Sequence, residues 1–202
     1  MSQAELNALI VANIQDLDGA AHHLDQVLQH SITEAIDERL EDLIKQAAWH
    51  GEPGWNEETA WLAPKAWHRP EQGEDEYSAY FEFDVDDKKL DARDAYRLTQ
   101  LVGKAHARVG FRWVQQPMKD ALWKKVAGTS TTEIQELRGF GFEYRERDGT
   151  FFLPVVVDAE KLASALADED LPAALDAVAK AFEVMQASVR AFDRLLSKLV
   201  VE

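Results

Sequence analysis

Residues 77–87 read YSAYFEFDVDD, and from position 81 onward apolar and acidic side chains alternate strictly. A strand repeats every two residues, so the apolar side chains at 81, 83 and 85 would share one face. The opposite face would carry three carboxylates about 6.6 Å apart: Glu82, Asp84 and Asp86. This row of carboxylates is either a binding site or a solvated surface.

Helical patterns lie on both sides of this strand. Residues 2–48 place apolar side chains at steps of three and four, which is the helical period. The tetrapeptide SQAE at residues 2–5 matches a capping box. A second box, SITE at residues 31–34, predicts either two helices or one helix kinked near His30. Residues 158–202 form another helical segment.

Residues 49–157 are predicted to form a mixed sheet with short helices. A short strand near 59–62 precedes the 77–87 strand, and a helix over 92–107 leads to a strand at 110–115. A hairpin of residues 140–146 and 150–157 turns at Asp148-Gly149, and Pro154 predicts an edge position or a bulge in its second strand.

The order of these elements predicts one α+β domain over residues 1–202. A long N-terminal helix or helix pair and a long C-terminal helix would pack on a mostly antiparallel sheet of about four to five strands. The chain is long enough to bury a sizeable core without disulfides or metal ions.

Charge is distributed unevenly along the chain. The 37 acidic and 22 basic side chains give a formal net charge of −15. Residues 1–90 hold 20 acidic and 6 basic side chains, a balance of −14, whereas residues 91–202 hold 17 and 16, a balance of −1. Such a field repels nucleic acids and membrane surfaces and favours a basic partner.

The basic side chains of the second half include a series at helical spacing: Arg93, Arg97, Lys104 and Arg108. They predict a basic face on the helix over 92–107. Two interpretations are open: the face pairs with the acidic half of the chain, within one chain or across a dimer, or it contacts phosphate groups.

Four tryptophans recur at intervals of six residues: Trp49, Trp55, Trp61 and Trp67. Prolines within this segment exclude one continuous strand. The indoles either seal the helical layer against the sheet or form an exposed aromatic patch for a partner, since tryptophan is favoured in binding hot spots.

No catalytic motif is present. The chain has no cysteine, no G-x-S-x-G sequence and no phosphate-binding loop. Its histidines lack the close i, i+4 pairing of a zinc motif, so neither a metal nor a cofactor is expected. The N-terminus lacks signal-peptide features and no apolar run approaches the ~20 residues of a membrane span, so a cytoplasmic location is expected.

The sequence favours an acidic, non-catalytic binding protein. It would dock and inhibit a basic protein partner, as an immunity protein or as an inhibitor of a toxin or nucleic-acid-processing enzyme. The residues predicted to bind this partner are Trp55, Trp61, Glu82, Asp84 and Asp86. The alternative is a metal-dependent hydrolase or nuclease that uses the Glu82 and Asp84 carboxylates as ligands. A third hypothesis is a helical scaffold that dimerises through residues 2–48.

Overall fold

The computed structural model describes residues 1–55, 57–71, 76–86 and 97–198. Within these ranges, six strands form one antiparallel sheet in the order β1-β2-β3-β4-β6-β5. The strands are β1 His50–Glu52, β2 Trp61–Ala63, β3 Ala79–Asp86, β4 Arg108–Gln115, β5 Glu143–Arg145 and β6 Thr150–Pro154. The predicted α+β class is confirmed, and one strand that was not predicted, β1, brings the sheet to six strands where about four to five were expected.

Helices cover one face of this sheet and extend from it. They are α1 Gln3–Ala12, α2 Ile14–His23, α3 Gln29–Ala47, α4 Arg97–Leu101, α5 Asp120–Thr129, α6 Thr131–Phe140, α7 Ala159–Ala167 and α8 Asp176–Ser197. Short 3-10 turns occupy Lys65–Trp67 and Leu171–Ala174. No helix within the described ranges combines the length and the apolar content that crossing a lipid bilayer requires.

The strand at the centre of the sheet forms as its alternating pattern predicts. Phe81 and Phe83 of β3 are buried at 0% and 7% exposure, because they point into the helical layer. Strand β4 pairs with β3 along its whole length, from Ala79 opposite Gln115 to Asp86 opposite Arg108.

Phe192 of α8 lies at the centre of the core. Its ring stacks on Trp113 of β4 at 4.6 Å and meets Phe81, Phe142 and Phe151 edge-on at 5.2 to 5.6 Å. Edge-to-face and stacked pairs add to the free energy of simple burial. The C-terminal helix is therefore fixed to the sheet by aromatic packing, and α3 lies beside it.

The N-terminal segment is helical almost throughout. The capping box at its start is confirmed, since Ser2 Oγ accepts a hydrogen bond from Glu5 N and the Glu5 carboxylate accepts one from Ser2 N. The prediction of a second capping box is wrong, because Ser31 lies inside α3 and its hydroxyl donates a hydrogen bond to the Leu28 carbonyl at 3.0 Å. The helix departs from α geometry at Asn13 and in a π-turn, Leu24–Leu28.

In the second half of the chain, one prediction is wrong and another holds only in part. The helix predicted over 92–107 ends at Leu101 in its described part, and Arg108 lies on strand β4 instead; residues 92–96 lie outside the described residues. Strand β6 as a whole is not an edge strand, because it pairs with both β4 and β5, although its pairing with β5 stops at Phe152 and Pro154 pairs with β4 alone. Pro154 is tolerated there because it is the last residue of β6, opposite Gly110.

Candidate functional site

The outward face of the sheet carries the predicted carboxylates. The two buried phenylalanines of β3 point inward, so the alternate side chains of Glu82 and Asp84 point outward. The register of β3 and β4 sets Glu82 opposite Arg112 and Asp86 opposite Arg108. Cross-strand neighbours on one face are close enough to form ion pairs, so the fold itself gives these carboxylates basic partners.

Two arginines hold the carboxylate row in place. Arg112 Nε donates a hydrogen bond of 3.0 Å to Glu82 Oε1. Arg145 of β5 places Nη1 3.6 Å from Asp84 Oδ2 and Nη2 2.8 Å from Asp86 Oδ1. These side chains are only 14% to 39% exposed, so solvent screens their pairing less than it screens a surface ion pair.

A third arginine joins this row to strand β5. Arg108 forms ion pairs with Asp86 and with Glu143, and its Nη1 lies 2.7 Å from Glu143 Oε1. Its guanidinium keeps the pKa of Glu143 below the usual range. The side chain of Phe152 is fully buried beneath this layer, with the guanidinium carbon of Arg145 4.5 Å from its ring centroid.

These seven side chains form what we call the arginine–carboxylate network: Glu82, Asp84, Asp86, Glu143, Arg108, Arg112 and Arg145. Four carboxylates and three guanidinium groups give it a formal charge of −1. Burial raises the pKa of Asp84, while Arg112 and Arg145 oppose that rise. The network is therefore close to electrically balanced within the chain, and it is not the source of the large negative charge.

The tryptophans are divided between the core and the outward face. Trp55 is 0% exposed and packs against Phe83 and Phe111 at ring distances of 4.7 and 5.6 Å. Its backbone N–H donates to Asp37 of α3 at 2.6 Å, which ties the loop to the helical layer. Trp61 of β2 lies on the outward face, half-buried and opposite Glu82. Only the second of these two predicted residues is accessible to a partner.

Trp61 lies in a groove of about 580 Å³ at the β1–β2–β3 side of the sheet, which we call the acidic groove. Its lining includes four glutamates and four aromatic residues: Glu52, Glu58, Glu76 and Glu82, with Trp61, Tyr77, Tyr80 and Phe83. The Trp61 ring lies 5.0 Å from that of Tyr77 and 6.4 Å from that of Tyr80. Strand register places Glu52, Trp61 and Glu82 in one line across the groove.

The glutamates of the acidic groove differ in their partners. Glu82 pairs with Arg112, and Glu58 pairs with Arg97. Glu52 and Glu76 are exposed and form no ion pair with any residue that the structure describes. Unlike the carboxylates of the network, these two are therefore available to a cation from outside the chain.

Two side chains at the acidic groove, Tyr80 and His50, have shifted pKa values. Burial, and then the negative charge of Glu82, raise the pKa of Tyr80, whose hydroxyl accepts a hydrogen bond from Gln116 Nε2 at 3.2 Å. Behind the groove, His50 Nδ1 lies 2.8 Å from the Tyr77 hydroxyl, and burial lowers the pKa of His50. The rise at Tyr80 follows from burial and a negative neighbour, whereas the fall at His50 follows from burial and from its positively charged neighbours His68 and Lys65.

Carboxylates beside aromatic faces suit one kind of ligand, an ammonium or guanidinium group. Such a cation gains charge-assisted hydrogen bonds from the carboxylates and cation–π attraction from the rings. Within the described ranges, no group of three or more acidic, histidine or cysteine side chains is arranged to hold a metal ion. Glu82 and Asp84 each face an arginine, so nothing in this geometry favours the metal-dependent hydrolase.

Two of the four basic residues in the series of the second half pair with the acidic half. Arg97 pairs with Glu58, and Arg108 with Asp86, which agrees with internal pairing rather than phosphate contact. Lys104 lies in the loop after α4, and Arg93 lies outside the described residues.

Sequence reasoning missed most of the acidic groove. Tyr80 carries a signal, since it shares the outward face of β3 with Glu82. Glu52 and Glu76 carry none, because strand pairing and loop conformation bring them to the groove from opposite sides of a proline-rich segment. The chain matches no family model, no curated protein and no solved structure at a significant level.

Proposed function

We propose that this protein is a non-catalytic binding protein that docks a basic protein partner and inhibits it by occlusion. The observation that carries this proposal is the acidic groove, where aromatic walls lie beside Glu52 and Glu76, two carboxylates without an ion pair to any described residue. A lysine or arginine side chain of the partner would enter the groove and lie against the rings of Trp61 and Tyr80.

The net charge supports the same partner class. A chain with a formal charge of −15 attracts basic proteins over long range and speeds their encounter, while the buried contacts set the rate of dissociation. Toxins and enzymes that act on nucleic acids carry basic surfaces because they bind phosphate groups. Covering such a surface blocks its substrate, which is how an immunity protein or inhibitor of this kind would act.

The five residues predicted to bind the partner take different parts in this proposal. Trp61 and Glu82 line the acidic groove and contact the partner. Asp84 and Asp86 belong to the arginine–carboxylate network and hold the neighbouring strands together. Trp55 is a core residue, so it supports the groove from behind.

The proposal is tested by affinity capture followed by reconstitution. The tagged protein is incubated with a lysate of its source organism at low ionic strength, and the retained proteins are identified by mass spectrometry. The retained partner is then purified and titrated calorimetrically at low and high ionic strength. We expect a basic protein whose own activity falls on binding and whose affinity weakens as salt screens the charges.

Charge reversal in the acidic groove tests whether this surface binds the partner. Glu52→Lys together with Glu76→Lys should weaken binding by more than about tenfold, since it replaces attraction by repulsion at the contact. Glu183→Lys, at an exposed position of α8, is the matched control and should change affinity little. An acidic partner, or equal affinity of the double variant and the wild type, would overturn the proposal.

A further inference from the structure

Exposed apolar side chains are concentrated in residues 1–27, which we call the N-terminal arm. Of the nine large apolar side chains that are exposed in the described residues, seven lie in this arm: Met1, Leu9, Ile10, Val11, Ile14, Leu17 and Val27. Neither α1 nor α2 buries any residue. Isolated apolar side chains on a surface are ordinary, whereas a concentration of them indicates an interaction surface.

Several of these side chains belong to an apolar stripe. Leu6, Ile10, Ile14, Leu17 and Leu24 follow one another at helical steps of four, four, three and seven residues, and the helix departs from α geometry at Asn13 between the second and third of them. Ile10, Ile14 and Leu17 are exposed, and Leu6 and Leu24 are half-buried. The pattern continues into α3, where Ile32, Ile36, Leu40 and Ile44 are buried in the core. The stripe is therefore covered in α3 and uncovered in the arm.

Acidic side chains border this stripe on both sides. Successive helical residues lie about 100° apart, so an acid next to a stripe leucine falls beside the stripe. Glu5 precedes Leu6, Asp16 and Asp18 flank Leu17, and Asp25 follows Leu24. The arm contains no lysine or arginine, and the first basic residue of the chain is Arg39.

We propose that the N-terminal arm binds a basic amphipathic helix of a protein partner. The apolar face of that helix would cover the apolar stripe of the arm, and its lysines or arginines would pair with Glu5, Asp16, Asp18 and Asp25. At 1.5 Å per residue the arm offers about 40 Å of helix, enough for a partner helix of several turns. This inference is independent of the acidic groove and of the function proposed for it.

A second copy of this chain fits the arm less well. It would bring the same four carboxylates and no lysine or arginine to the contact, so like charges would face each other across the apolar stripe. A basic helix removes that repulsion and adds attraction. Charge complementarity therefore selects the partner helix over self-association.

The test uses the full-length chain and a synthetic probe. The probe is a fluorescently labelled amphipathic peptide of about five helical turns made of leucine and lysine, and its twin carries glutamate in place of lysine. Binding is followed by fluorescence anisotropy at low and high ionic strength. We expect the lysine peptide to bind in a salt-dependent manner and the glutamate peptide not to bind.

Substitutions separate docking from general attraction of a cation to an acidic protein. Ile10→Asp together with Leu17→Asp adds two negative charges, so general attraction predicts tighter binding of the lysine peptide. Docking on the stripe predicts binding weaker by at least about tenfold. Leu122→Asp adds a charge at a position that is 52% exposed outside the arm, and it should leave the affinity unchanged.

Two outcomes would overturn the inference. One is unchanged or tighter binding by the Ile10→Asp, Leu17→Asp variant, with circular dichroism showing that its helix content is retained. The other is a wild-type dimer in sedimentation equilibrium that the same variant converts to a monomer, since a second copy would then occupy the arm. Glu52→Lys with Glu76→Lys should bind the peptide as tightly as the wild type, which distinguishes the arm from the acidic groove.

Discussion

The arginine–carboxylate network and the acidic groove share one face of the sheet, and both are rich in carboxylates. In the network, Asp84 and Asp86 are held by Arg145, and the layer covers Phe152. In the groove, Glu52 and Glu76 have no ionic partner among the described residues, and aromatic rings stand beside them.

The difference teaches that acidic residues of equal appearance in the sequence can have opposite uses. A carboxylate opposite an arginine contributes to the stability of the fold, and its charge is neutralised by an ion pair within the chain. A carboxylate without such a partner contributes little to stability and leaves its charge available to another molecule. Substitutions in the two regions should therefore affect different properties.

The largest expected effect is a loss of stability, caused by a substitution at the centre of the arginine–carboxylate network. Arg145→Ala removes the ion pair of Asp84, one of the two ion pairs of Asp86 and the nearer guanidinium over the Phe152 ring, because one side chain makes all three contacts. We expect the free energy of unfolding in urea to fall by about 2–3 kcal/mol. Arg147→Ala, an exposed arginine two residues further on, should cost less than about 0.5 kcal/mol. Equal losses in the two variants would remove the distinction between network and surface.

An intermediate effect is expected when the stability changes caused by replacing two glutamates on opposite sides of the groove are compared. Glu82→Gln leaves the half-sheltered Arg112 without its charged partner, so the free energy of unfolding should fall by about 1 kcal/mol. Glu52→Gln removes an exposed charge that has no ion pair within the described part of the chain, and it should change stability by less than about 0.5 kcal/mol. The same Glu52→Gln variant should nevertheless bind the basic partner more weakly. A larger stability loss at Glu52 than at Glu82 would contradict the assignment of roles.

The smallest expected effects concern acid stability. Arg108 lowers the pKa of Glu143 in the folded state, so ionised Glu143 stabilises the fold at neutral pH, and this contribution is lost as pH falls through the lowered pKa. Burial raises the pKa of Asp84, so its ionisation works against the fold and its protonation on acidification relieves that cost. In urea unfolding between neutral and acidic pH, Glu143→Gln should flatten the decline in stability and Asp84→Asn should steepen it. Identical pH profiles for the two variants would show that the pairing of Arg108 with Glu143 is unimportant.

Much of the fold could be predicted because it depends on residues near one another in the chain. The alternation from Phe81 to Asp86 predicts a strand and its two faces. The Ser2–Glu5 capping box and the Asp148-Gly149 turn also form where the sequence places them. A local prediction failed where a distant contact decided the outcome: Arg108 joins a strand rather than a helix because it pairs with Asp86 of β3. Pro154 lies at the end of β6, where β4 is its neighbour on one side and the pairing with β5 has already stopped.

The sequence by itself determined the α+β class, the helical period of residues 2–48 and the two faces of β3, because each follows from repeats of two or of 3.6 residues. Only the tertiary structure decided which charges cancel and which remain. Glu82 and Arg112 are 30 residues apart in the chain and pair because of the strand register. Glu52 and Glu76 line one groove that no local pattern encodes. Periodicity fixes the direction of a side chain, whereas its partner depends on the order and register of strands from distant parts of the chain.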